Sequence, residues 1–77
     1  MSDPEDEVLD ARGLSCPQPI LMLTQAMKSL GRDMVLKLLA DDPAAYEDVQ
    51  VWCRRTGNHL MSIEENEGQM VAFIRKG

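Results

Sequence analysis

Hydrophobic and polar residues change their period several times along this chain, and each change marks an element. Val8, Leu9 and Ala11 form a short apolar run that predicts a strand, and Arg12 and Gly13 turn the chain after it. From Pro17 onward, Ile20, Leu23, Met27 and Leu30 recur at helical spacing while Gln25, Lys28 and Ser29 fall outside the stripe. Gly31 stands where a C′ glycine closes a helix. Met34 to Ala40 (MVLKLLA) is apolar enough for a central strand, with Leu36 and Leu38 on one face and Lys37 opposite. Asp42 as N-cap and Pro43 at the first helical position predict a second helix, whose buried face carries Ala45, Val49, Trp52, Cys53 and Thr56. Gly57 and Asn58 end it. Leu60 to Glu64 and Met70 to Arg75 are two further strands, joined by a hairpin signal at Asn66, Glu67 and Gly68.

The resulting order, βαβαββ, predicts an α/β (α+β) two-layer sandwich. Right-handed crossovers place both helices on one face of a four-stranded mixed sheet, although the spatial order of the strands does not follow from the pattern. At 77 residues the chain is a single domain of residues 8–77 behind an acidic, frayed leader of residues 1–7. With one Phe, one Tyr, one Trp and six Met, its core must be built from Leu, Ile, Val and Met.

Charge narrows the classes of partner. The net charge is −5, and Asp3, Glu5, Asp6 and Glu7 carry −4 of it, which leaves the domain nearly neutral. A nucleic-acid binder needs a basic stripe with aromatic residues to stack on, and both are thin here, so no direct contact with nucleic acid is expected. No apolar run approaches the roughly 20 residues of a membrane span, and the acidic start is unlike a signal peptide. The two cysteines, 37 positions apart, have neither CxxC nor zinc spacing, so a reducing cytoplasm is the expected compartment and no metal is expected.

The chemistry concentrates in Leu9 to Pro19, LDARGLSCPQP. Pro17 suits the first position of the helix and biases the preceding residue toward extended backbone, so Cys16 is expected as its N-cap. A thiol there faces free amide groups and the positive end of the helix dipole, which favour the nucleophilic thiolate. Pro19 removes one donor from that turn and leaves the amides of Gln18 and Ile20 to solvate an anion on sulfur. A cysteine in this place can also be an inert, buried cap. The Gly-containing approach and the second proline favour the reactive reading. Leu21 and Met22 fit either peripheral core or, with Pro17 and Pro19, an apolar rim on which partners dock around the sulfur. Cys53 reads as core, His59 as a solvated histidine, and Arg75 and Lys76 as a solvated end. Asp41 and Asp42 read as capping residues, since their charge near the first helix would oppose thiolate formation.

These residues resemble the TusA/SirA-type sulfur-carrier family. The resemblance rests on LDARGLSCPQP with its Cys-Pro-x-Pro element, on ADDPA (Ala40 to Ala44) followed by Cys53, and on the closing IRKG (Ile74 to Gly77), and it covers nearly everything after the leader. It implies that Cys16 takes sulfane sulfur as a persulfide and passes it on, with no bound cofactor. The implied donor is a cysteine desulfurase using pyridoxal phosphate, and the implied acceptor is a relay protein serving tRNA 2-thiouridine formation; other branches serve sulfur oxidation or selenium handling. Such a carrier is expected to act as a monomer. The competing classes are an RNA- or translation-associated module, by fold analogy, and a thiol redox sensor pairing Cys16 with Cys53.

Overall fold

The computed structural model describes residues 5–77. The elements follow the order read from the sequence: β1 (Glu7–Asp10), α1 (Gln18–Ser29), β2 (Val35–Ala40), α2 (Ala45–Thr56), β3 (His59–Asn66) and β4 (Gln69–Arg75). The four strands make one sheet in the order β1-β2-β4-β3, with β1 parallel to β2 and the other pairs antiparallel. The two most apolar strands are therefore central. In the β2–β4 register Leu36 lies beside Ile74, Leu38 beside Ala72 and Ala40 beside Met70, and all six are buried. Leu23 and Met27 of α1 and Ala45, Val49 and Cys53 of α2 complete this core, so both helices cover the same face. Full burial of each Leu or Ile contributes about 1.5–3 kcal/mol. On the opposite face Lys37 extends over the Phe73 ring, 5.7 Å from its centroid.

Several boundaries differ from the sequence reading. Glu7 is the first residue of β1, and Asp6 bonds β2 twice: its N–H donates to the Val35 carbonyl (2.7 Å) and its Oδ2 accepts the Val35 N–H (2.9 Å). The acidic segment thus joins the sheet before residue 8, because β2 offers backbone groups along an edge that needs pairing. Residues 1–4 of the leader lie outside the described residues. The apolar stripe of α1 also shifts. Pro19, Leu23 and Met27 are its buried residues and Ile20 is half-buried.

The two helices end differently. Gly57 adopts φ 78° and donates its N–H to the Cys53 carbonyl (3.0 Å), a glycine cap as expected. Gly31 is not left-handed. After the extended Leu30, the positive φ belongs to Asp33 (68°), and the Gly31 N–H meets the Met34 sulfur at 3.0 Å. Lys76 is also more than a solvated end. Its Nζ donates to the Leu30 carbonyl at 2.6 Å, supplying a cation to carbonyls left open at the end of α1. Thr56, expected on the buried face of α2, is exposed. The β3–β4 hairpin turns on Glu67 (φ 53°) and Gly68 (φ 79°), the two positive values that a tight primed turn requires.

Candidate functional site

Ala11, fully buried, donates to the Leu39 carbonyl (2.7 Å) and pins the chain to β2 just before the loop that carries Cys16. Arg12 turns back on Asp10, its Nε and Nη2 reaching the two carboxylate oxygens at 2.9 and 2.8 Å. This pairing lowers the Asp10 pKa to about 2 and occupies the guanidinium nearest the loop in sequence. Gly13, at φ 84°, then presents its N–H to both oxygens of Asp41 (3.0 and 3.1 Å). The Cys16 N–H donates to Oδ2 of Asp42, whose Oδ1 accepts the Ala44 N–H (3.1 Å). Asp42 thus holds the turn that leads into α2 with one oxygen and the cysteine loop with the other. The paired aspartates act as a clasp between the β1–α1 and β2–α2 loops, and α2 begins two residues later than read from sequence, with Ala44 and not Asp42 as its N-cap and Pro43 in the turn before it.

The start of α1 lies one residue later than predicted. Pro17 is the N-cap, with φ −96° and ψ 12°, and Cys16 precedes it across a cis peptide bond. The Gln18 N–H donates to the Ser15 carbonyl (2.9 Å), so the amide expected to solvate the sulfur is engaged by the loop itself. Among the described residues, the hydrogen bond at the sulfur runs instead from the thiol to Oδ2 of Asp48, at 3.4 Å. The expected thiolate-promoting environment is overturned. The bond to Asp48, partial desolvation, and the charges of Asp48 and Asp42 all raise the Cys16 pKa above its ordinary value. The carboxylates win because Asp48 bonds the sulfur itself and Asp42 sits at the Cys16 N–H, whereas no amide of the α1 mouth bonds the sulfur.

The cysteine remains exposed. It opens on a cleft of about 310 Å³ lined by Cys16, Pro17 and Ile20 on one side and by Asp48, Val51, Trp52 and Arg55 of α2 on the other. Trp52 is held in this wall by a bond from Nε1 to the Thr24 hydroxyl (3.1 Å), and that hydroxyl donates to the Ile20 carbonyl (2.9 Å). The cleft therefore has an apolar floor between an acid and a base. Sequence reading missed Asp48, Val51 and Arg55. Their signal was the spacing 48, 51, 52, 55, which is one helical face beside the buried stripe.

The residues read as a docking rim are dispersed. Pro17 lines the cleft, but Pro19 is fully buried beneath it, Leu21 is 52% exposed and Met22 is half-buried, and neither Leu21 nor Met22 borders the cleft. Pro19 goes inward because it stands four residues before Leu23 on the same helix face. Cys53 is 4% exposed, and burial raises its thiol pKa to about 11. Both cysteines are free thiols. Among the described residues no group of three His, Cys, Asp or Glu side chains is arranged to hold a metal, and no helix is long and apolar enough to cross a membrane.

Comparison with known proteins covers nearly the whole chain. The family model described as Sulfurtransferase TusA matches residues 7–76. The chain belongs to the TusA family. Sulfur carrier protein TusA of Pseudomonas putida is 39% identical over 71 residues, covering 92% of this chain and 89% of its own. The corresponding protein of Pseudomonas paraeruginosa is 37% identical over 76 residues, covering 99% and 96%. A putative sulfur carrier protein of Aquifex aeolicus is 38% identical over 94% of this chain, which spans only 36% of that longer protein. The crystal structure of a SirA-like protein from Desulfitobacterium hafniense superposes with a TM-score of 0.79 at 25% identity, covering 92% of this chain and 97% of its own. The βαβαββ sandwich is thus the architecture of a solved SirA-like relative as well as of this TusA-family chain.

Proposed function

We propose that this protein is a sulfur carrier whose cargo rides on Cys16 as a persulfide. The observation that carries the reading is an exposed thiol in the Cys-Pro-x-Pro element, its loop held at the rim of an open cleft by the Gly13 and Cys16 N–H groups donating to the Asp41 and Asp42 carboxylates. An exposed sulfur suits a carrier, because the same atom must enter the sites of a donor and of an acceptor. Loading is a displacement in which the Cys16 thiolate attacks the outer sulfur of a donor persulfide. The bond between that sulfur and the donor cysteine breaks, and the donor leaves as a thiolate that takes up the proton Cys16 gave up. Unloading repeats the step with an acceptor thiolate attacking the outer sulfur held on Cys16. Each step moves one sulfane sulfur and leaves the overall redox state unchanged.

On this reading the donor is a cysteine desulfurase, whose pyridoxal phosphate stays with the donor. The acceptor is a relay protein with a reactive cysteine, and tRNA 2-thiouridine formation is the end use. The carrier itself holds sulfur covalently, works as a monomer in a reducing cytoplasm, and touches no nucleic acid. Family membership and the exposed thiol support this assignment.

Intact-mass spectrometry tests it. After incubation with a cysteine desulfurase, pyridoxal phosphate and cysteine, the wild type and Cys53→Ser are expected to gain roughly 32 Da for one sulfur atom, while Cys16→Ser gains none. Equal gain by Cys16→Ser overturns the assignment of the site. If the wild type gains nothing from the desulfurase, or from thiosulfate or polysulfide supplied in its place, the carrier reading fails.

A further inference from the structure

The family motif accounts for Cys16 and its prolines, but it does not account for the carboxylate set against the sulfur. Asp48 lies one turn into α2, 32 positions from Cys16, and accepts the thiol hydrogen bond at 3.4 Å across the cleft. Among the described residues, the carboxylates that bond Cys16 are Asp48 of α2, at the sulfur, and Asp42 of the loop before it, at the backbone, and Arg55 of α2 lines the same cleft. The first turn of α1 contains no acidic residue. Asp42 is committed to the Cys16 backbone, and Arg55 lies two turns after Asp48 on the α2 wall of the cleft.

Resting on the carrier reading, we propose that Asp48 is a positioning residue that raises the sulfur-transfer potential of Cys16, so that the carrier releases its cargo readily. Two effects act in the same direction. In the empty carrier, the S–H group donates to the Asp48 carboxylate, which stabilises the thiol. In the loaded carrier, the outer sulfur lies about 2 Å beyond Sγ at the ordinary S–S length, and a perthiol loses its proton more easily than a thiol. The loaded form therefore carries its own negative charge beside Asp48, where like charge destabilises it. Stabilising the empty state and destabilising the loaded one both favour departure of the sulfur.

The exchange is balanced without a further reactant. A small-thiol persulfide RSS⁻ and the Cys16 thiol yield Cys16–S–S⁻ and RSH, with one S–S bond broken, one formed and one proton passed to the departing thiol. The carboxylate changes the position of this equilibrium and is not consumed. It also keeps the empty cysteine largely protonated, which slows its capture by small oxidants and alkylating agents that do not cover the cleft. A docked partner can fill the cleft and break the thiol–Asp48 bond, so reactivity is released where sulfur is delivered.

The test is sulfur exchange at equilibrium between the carrier and the glutathione persulfide/glutathione couple, read by intact mass. Wild type, Asp48→Asn and Glu47→Gln are compared, Glu47→Gln removing the neighbouring charge of α2 without touching the cleft. Asp48→Asn is expected to shift the equilibrium toward the loaded form by roughly tenfold, the factor that one pKa unit represents, while Glu47→Gln stays within about twofold of the wild type. The pH midpoint for alkylation of empty Cys16 by iodoacetamide is expected to fall in Asp48→Asn and to stay in place in Glu47→Gln. A merely structural role for Asp48 leaves that midpoint in place. Thermal melts of all three proteins verify that the native state is compared. If the wild type loads but Asp48→Asn matches it in both exchange and alkylation, the role of Asp48 is overturned and the carrier reading stands. If neither the wild type nor Asp48→Asn loads, both fall.

Discussion

Cys16 and Cys53 are both held as thiols, Cys16 at the surface because carboxylates face it and Cys53 in the core because water does not reach it. The two causes differ in what can undo them. A docking partner relieves the first by filling the cleft between Cys16, Asp48 and Arg55, with no change in the fold. Relieving the second requires α2 to leave the sheet, because Cys53 belongs to the same buried cluster as Leu23, Val49 and Ile74. One thiol is thus under local control and the other is tied to global stability. The redox pair considered from sequence meets the same barrier, since Cys53 reaches another sulfur only through unfolding of that cluster.

Native-state alkylation is the most direct way to break this comparison. Iodoacetamide is expected to modify Cys16 readily and Cys53 at least roughly a thousandfold more slowly, because Cys53 reacts only from opened states that are populated at about that level or below. Peptide mapping reads the ratio, and comparable rates would remove the distinction.

Alkaline unfolding separates the causes next. Burial raises the Cys53 pKa from 9.0 to about 11, so its neutral thiol contributes full stability below the unfolded-state value. As pH rises from 9 to 11 the unfolded chain ionises first, and this contribution is lost. Urea denaturation across that window is expected to show a decline in the wild type that is steeper than in Cys53→Ala by on the order of 2 kcal/mol. Equal slopes would place the thiol in a wetter site than its 4% exposure indicates.

At neutral pH, Cys53→Ser buries a hydroxyl in the same space and is expected to cost about 1–2 kcal/mol by denaturant melts. Cys16→Ser, at the surface, is expected to stay within about 0.5 kcal/mol of the wild type. The smallest effect is expected at Arg55. Removing the cation that borders the cleft (Arg55→Gln) should raise the alkylation midpoint of Cys16 slightly, opposite in sign to Asp48→Asn. A fall in that midpoint would show that Arg55 does not act on the sulfur as a charge.

How much could be read before any coordinates depended on the separation of the residues involved. The six elements and the two-layer arrangement were legible, since Leu23 and Met27, Leu36 and Leu38, and Val49 and Cys53 declare their periods within a few positions. The glycine cap at Gly57 and the turn at Glu67 and Gly68 were legible for the same reason. Pro19 was misplaced because it was read for its missing amide and its place beside the sulfur, although its spacing of four from Leu23 and eight from Met27 sets it on the buried face. Gly31 was misplaced because Met34 offered its N–H a sulfur and Asp33 took the left-handed position.

Cys16 was recognisable as the reactive residue by its local context, but the state of its sulfur was not. A helix mouth by itself promises a thiolate, and a sequence reading that stops at Pro17 to Ile20 must reach that conclusion. The opposing charges come from residues 26 and 32 positions away, Asp42 and Asp48, brought to the sulfur when the parallel pairing of β1 with β2 sets the two helix-opening loops side by side. Local sequence determined where the helices and strands lie and which cysteine is exposed on a loop, because propensity, capping and periodicity act over a few residues. Only the tertiary structure decided what the thiol faces, because electrostatic interactions depend on distance in space and take no account of separation along the chain.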